Sequence, residues 1–186
     1  MDDEKKVVTE RVTRLRRNVR YTVAGIAIVL LIFIFVEGYK FYTLSPEKLY
    51  AESYTPYELT TIHDGNDSAS AIEKAYKEKN YKEVINLNRL SVLSINDIFL
   101  TGMAFLETKD YSRAVRSFQV VITDIKDNKI MLKNVAEYYL ALAYLQDRDY
   151  DQAIELMSAI HDNSSHAYSK KFSRKYINRV KRLKWR

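Results

Sequence analysis

His161 and His166 come nearest to metal chemistry in this chain: two imidazoles bracket the polar run Asp162-Asn163-Ser164-Ser165. A zinc site needs three or four donors converging at about 2.0–2.3 Å. No further ligand pattern stands nearby, so no metal is expected. His63-Asp64 lies in another polar stretch, again without further donors. Cysteine is absent, which excludes a disulfide framework, a thiolate nucleophile and any Cys-based metal site. The chain contains no H-E-x-x-H, no Gly-rich phosphate loop and no serine elbow. Glu73, Glu78, Glu83, Glu107 and Glu155 recur at helical spacing on polar faces, where solvation is the default. No catalytic residue, cofactor or enzymatic activity is expected from such a pattern.

The patterned charge is basic. Of the 30 Lys and Arg that leave a net charge of +6, nine fall in the last 17 residues, where there is no acid. Seven more lie in the first 20 residues against four acids, and the middle of the chain is acidic. The positive balance is therefore a property of two ends and is no nucleic-acid signature by itself. Near the C-terminus Tyr168, Phe172, Tyr176, Val180 and Leu183 stand at near-fourfold spacing, which predicts an amphipathic helix over about 165–186. Lys170, Lys171, Arg174, Lys175, Arg179, Lys181 and Arg182 form its basic surface. Two readings follow: a solvated helix that caps the fold, or a contact for anionic lipid or an acidic partner. Nucleic acid is not expected as a partner.

The element that places the rest of the chain is the uncharged run Tyr21–Val36, directly behind the Arg-rich stretch 11–20. Its sixteen residues rise about 24 Å as a helix. Flanking Tyr21, Tyr39, Phe41 and Tyr42, with Arg20 and Lys40 free to snorkel, extend it to the roughly 30 Å of bilayer hydrocarbon. Bulky Glu37-Gly38-Tyr39-Lys40-Phe41-Tyr42 follows in place of a small-residue cleavage site, so an uncleaved anchor is expected over 21–42. Five arginines precede the run closely and only Lys40 and Lys48 follow it. The positive-inside bias then makes 1–20 a basic cytoplasmic tail and puts the remainder outside the cytoplasm, periplasmic, on the inner membrane.

Residues 43–70 read as a linker with an N-terminal helix, the polar stretch His63–Ser70 being a loop. Beyond it a pattern recurs: an aromatic or small residue, a short polar link, a Tyr, two polar residues, a small or aliphatic residue, an aliphatic. Its tyrosines are Tyr81, Tyr111 and Tyr150, and each link separates two apolar-periodic stretches. Self-similarity at this period means stacked helical hairpins over 71–164. The wider second interval predicts a long first helix in the third hairpin, around 130–146.

These residues resemble the tetratricopeptide repeat. Its pattern is met by Gly102, Phe105, Tyr111, Ala114 and Phe118, and again by Ala141, Tyr144, Tyr150, Ala153 and Met157. The first copy departs, with Ile72, Ala75 and Val84 at the matching positions, and is either degenerate or one residue short in its turn. More loosely, the anchor, the Leu49–Tyr57 opening and the Lys-Arg-Leu-Lys-Trp-Arg ending resemble repeat proteins of Bacteroidota-type bacteria. The resemblance implies an all-α fold: one transmembrane helix, then a short α-solenoid of about three helical hairpins with a basic capping helix.

The resemblance also implies a partner groove on the first helices, falling on Asn96, Phe99, Met103, Leu106 and Glu107, then on Val135, Tyr138, Leu142, Leu145 and Gln146. It is aliphatic and aromatic, unlike a clamp for acidic tails, and suits an apolar peptide or helix. The alternative is that the chain's own terminal helices cover it. Such arrays act by presenting surface, so a membrane-anchored scaffold subunit of an envelope complex is expected, with other membrane or envelope proteins as partners. Two other readings are a transmembrane regulator with a repeat sensor, and an accessory chaperone near a secretion channel.

Overall fold

The computed structural model describes residues 2–59, 70–89, 93–124 and 130–185, with side chains from Arg20 onward except that of Lys40. The basic side chains expected in the first 19 residues, and nearly all of the loop expected at His63–Ser70, lie outside the described residues. The chain divides into two units, Met1–Leu44 and Ser45–Arg186.

Unit 1 is carried by one helix, α1 (Asp2–Tyr42). Its sequence has no proline and is dominated by Val, Ile, Leu and Phe where it is apolar. The segment Arg20–Tyr39 has a mean hydropathy of 2.3, and none of it is buried. Phe35 is 75% exposed and Leu31 66%. One helix is thus long and apolar enough to cross a membrane.

Unit 2 is all α among the described residues. It opens with α2 (Pro46–Ser53), which starts where Ser45 accepts from the Lys48 amide and Pro46 supplies a preset φ. Three hairpins follow. The first pairs α3 (Ala71–Lys77) with α4 (Tyr81–Leu87). The second pairs α5 (Ile95–Glu107) with α6 (Tyr111–Asp124). The third pairs α7 (Ile130–Gln146), the long helix expected from the spacing, with α8 (Tyr150–Asp162).

All three hairpins turn in the same way. Lys79, Lys109 and Arg148 hold left-handed φ values of 56°, 62° and 64°. The next residue's amide reaches back to Ala75, Phe105 or Tyr144, which closes the end of the first helix. That same residue, Asn80, Asp110 or Asp149, then accepts an amide of the second helix at 3.3 Å. The first copy therefore has a full-length turn: it is degenerate, not shortened. Ile72 and Val84 stand where the other copies carry small residues, and both are buried.

Neighbouring helices pack in sequence from α3 to α9, and α3 on α5 and α5 on α7 also meet, which lines the first helices up as an inner row. The repeat residues Gly102, Phe105, Ala114, Phe118, Ala141, Tyr144 and Ala153 are buried, while Tyr111 and Tyr150 are half-buried. Crossing α5 on α6 needs glycine. A Cβ at Gly102 would stand 2.8 Å from Phe118 Cε1 and 3.1 Å from Ser117 Cβ.

The C-terminal helix is shorter than its apolar spacing suggested. The final helix, α9, spans Arg174–Leu183, capped by the Ser173 hydroxyl, and residues 163–173 form turns. The cause is local: Ser165 and Tyr168 amides bond to Asn163 Oδ1 and His166 Nδ1, which competes with helical pairing. Tyr168 and Phe172 pack from these turns, and Lys170 and Lys171 lie there too, outside the helix.

The Gly102–Phe118 approach makes a prediction. Gly102→Ala gains up to about 1 kcal/mol of helix propensity but overpacks a crossing at a cost of about 1–3 kcal/mol. A net loss is expected, read as a lower thermal midpoint of the full chain in detergent by circular dichroism. A raised midpoint would contradict the crossing.

Candidate functional site

Binding was expected on the inner row of first helices. None of Phe99, Met103, Leu106, Tyr138, Leu142 and Leu145 is accessible: the most exposed, Leu106, shows 2%. Val135 is buried, Glu107 and Gln146 are half-buried, and Asn96 alone is exposed. The open groove is thus corrected in favour of the alternative, a surface covered by the chain itself.

The cover comes from two places. Residues 46–57 lie along it, with α2 packed on α7 and α9. Leu49 is fully buried. Hydrogen bonds fix the segment by its backbone: Tyr138 donates to the Ser53 carbonyl. Tyr139 donates to that of Thr55 at 2.7 Å, and Gln146 to that of Pro46 at 2.9 Å. Tyr176 of α9 donates to the Leu49 carbonyl at 2.7 Å. Tyr54 donates to the Glu107 carboxylate, which was expected in the groove. The second cover is the turn region: Tyr168 stacks on Tyr138 with centroids 4.3 Å apart, and Phe172 sits at 5.6 Å.

Rings run through the whole contact. Tyr57 meets Phe99 at 4.9 Å, Phe99 meets Phe118 at 5.7 Å, and Phe118 meets Tyr139 at 6.2 Å. Burial holds the tyrosines neutral. It pushes Tyr138 and Tyr176 up to about 12 and raises Tyr50, Tyr54, Tyr76 and Tyr139 further, with Glu107 adding to the effect at Tyr50, Tyr54 and Tyr76.

His166 serves the fold. His166 is 4% exposed, and its Nδ1 accepts from the Tyr168 amide. The proton therefore sits on Nε2, which faces Glu137 Oε2 on α7 at 3.2 Å. Among the described residues, no three His, Asp or Glu side chains gather as a metal site would require. A cleft of about 120 Å³ between α8 and α9 is lined by polar side chains that include Ser158, His161, Asp162 and Arg174. Arg174 is engaged with Asp162 at 3.3 Å and Ser158 with the Ile154 carbonyl, while the buried Nδ1 of His161 meets no hydrogen-bond partner among the described residues.

The basic residues are displayed outward: Lys170, Lys171, Arg174, Lys175, Lys181 and Arg182 are exposed. Arg179 departs, being half-buried and bonded to Glu52 of α2 at 2.8 Å. Residues 46–57 were expected as part of a linker with an N-terminal helix, and a terminal helix as the cover was the alternative reading. Their signal was a Ser45-Pro46-Glu47 helix start followed by Leu49, Tyr50, Tyr54 and Tyr57, too apolar for a linker.

A family model described as tetratricopeptide repeat matches residues 135–164, which is most of α7 with all of α8. It supports a tetratricopeptide-like hairpin there, a helical module of the kind that mediates protein–protein contacts. No curated protein and no solved structure matches the chain.

Two outcomes follow from the covered surface. Leu142→Asp buries an unpaired carboxylate and should cost more than about 4 kcal/mol, abolishing cooperative unfolding, whereas Asn96→Asp should leave the melt unchanged. An intact Leu142→Asp melt would mean the surface is open. The second concerns alkali. A tyrosine held neutral in the fold contributes stability that is complete below its unfolded value near 10 and is lost as pH rises through 12. Melting midpoints should therefore fall steeply from about pH 9 to about pH 11.5, as unfolded tyrosines ionise first. A flat profile would contradict the buried phenols.

Proposed function

We propose that the chain is a membrane-anchored interaction module. Residues 21–42 hold it in the inner membrane, and its helical repeats serve as a scaffold subunit that brings other membrane or envelope proteins together. The observation behind this is a contrast between the two units. The first leaves the uncharged, apolar run Tyr21–Val36 unburied, while the second buries its own apolar residues in stacked hairpins. Bilayer hydrocarbon is the solvent that matches the first. The arginines ahead of the anchor argue for a cytoplasmic N-terminus and a periplasmic repeat domain.

The occupied inner row speaks against a chaperone that would hold apolar peptides there, and for partners met on the outer surface.

Carbonate washing of membranes, followed by affinity purification in mild detergent, tests the proposal. The wild type should stay with the membrane and bring envelope proteins with it. Leu30→Arg/Ile32→Arg should release the chain and lose those partners. Release of the wild type would overturn the anchor, and a wild type purified alone would overturn the scaffold. Deleting residues 2–10 should leave the partners unchanged; their loss would favour the regulator with a cytoplasmic output.

A further inference from the structure

α9 is buried along one side by Tyr176, Ile177, Val180 and Leu183. At 100° per residue the opposite side carries Arg174, Lys175, Asn178, Lys181, Arg182 and, just past the last turn, Trp185. All six are exposed, and Trp185, the chain's single tryptophan, is 82% exposed. Among the described residues Lys175 and Lys181 have no ion pair, and the Arg174–Asp162 pair is long at 3.3 Å and open to solvent. No acid lies anywhere in residues 170–186.

Charge alone would suit any anionic surface. The indole narrows the choice. An exposed Trp has a large apolar body and one N–H donor, and it is most favourable at the level of lipid headgroups, with cations beside it on phosphate. A nucleic acid duplex would answer the cations through its phosphates and leave the indole in water.

We propose that the outer side of α9, with Trp185 at its tip, docks on a bilayer surface containing anionic lipid, the lysines and Arg182 meeting headgroup phosphates while the indole inserts at the interface. This rests on the anchored reading above, because the anchor makes the contact intramolecular and a weak surface affinity sufficient. Each cation close to an anionic surface strengthens such a contact about fivefold, and salt weakens it. The docking adds a second, regulated attachment: it depends on lipid composition, whereas the apolar helix does not.

Trp185 is its own reporter. The full chain is reconstituted in vesicles of phosphatidylcholine alone and of phosphatidylcholine with phosphatidylglycerol. Indole emission should shift to the blue, and brominated lipid should quench it, only with the anionic lipid. Both effects should fade at high salt and disappear in Lys175→Glu/Lys181→Glu/Arg182→Glu, whose substitutions leave the buried side of α9 untouched and whose helicity should match the wild type. Emission that is the same in the two membranes at low salt overturns the docking, as does a shift produced by added duplex DNA and not by lipid. Carbonate resistance is scored on the same vesicles. A chain that resists carbonate with an unmoved indole defeats the docking and leaves the anchor standing. A chain that washes off defeats the anchor itself, whatever its indole does.

Discussion

Helix α7 is apolar on every side from Val135 to Leu145, interrupted by the half-buried Glu137. A helix of that kind cannot rest on a two-layer stack, because one partner helix covers only one stripe. It needs neighbours all round. In this chain α6 and α8 supply two sides, and residues 46–57 with the Tyr168–Phe172 turns supply the rest. Much of the remaining architecture follows from that requirement. The start of unit 2 and its end meet, through Tyr176 on Leu49 and Arg179 on Glu52, because both are drawn to the same helix.

The polar chemistry of the cover is consistent with a permanent contact. Tyrosine hydroxyls reach the backbone carbonyls of Leu49, Ser53 and Thr55, and the Gln146 amide reaches that of Pro46; a buried donor without such a partner is costly. The carbonyls of Ser53 and Thr55 lie at the end of α2 and beyond it, and have no helical amide to accept from. The phenols thus complete a helix end while their rings fill the inner row. Phenylalanine would fill the same volume and leave those carbonyls unanswered.

The hairpins were legible in the sequence because their determinants are local. A residue in left-handed conformation, a capping Asn or Asp and the following Tyr occur within three positions, and the spacing of Tyr111 and Tyr150 gave the length of α7. None of the three left-handed positions is glycine, so the usual marker was missing, yet the recurring polar link and Tyr located the turns. The covered inner row was not legible. Phe99, Tyr138 and Leu142 carry the same pattern whether they await another molecule or the chain's own residues, and the contact joins Ser53 to Tyr138 across 85 positions. The start of α9 was misread for another reason. Tyr168 and Phe172 keep the helical spacing of Tyr176 and Val180, but the His166 ring and the Ser173 cap set the boundary.

Residues 46–57 belong to the folded body although they precede the repeats in sequence. A fragment trimmed to begin at the first hairpin would keep every repeat and still lose its own lining. It would offer Tyr138, Tyr139 and Leu142 to whatever hydrophobic surface came by, and stickiness seen in such a fragment would be an artefact of where the gene was cut.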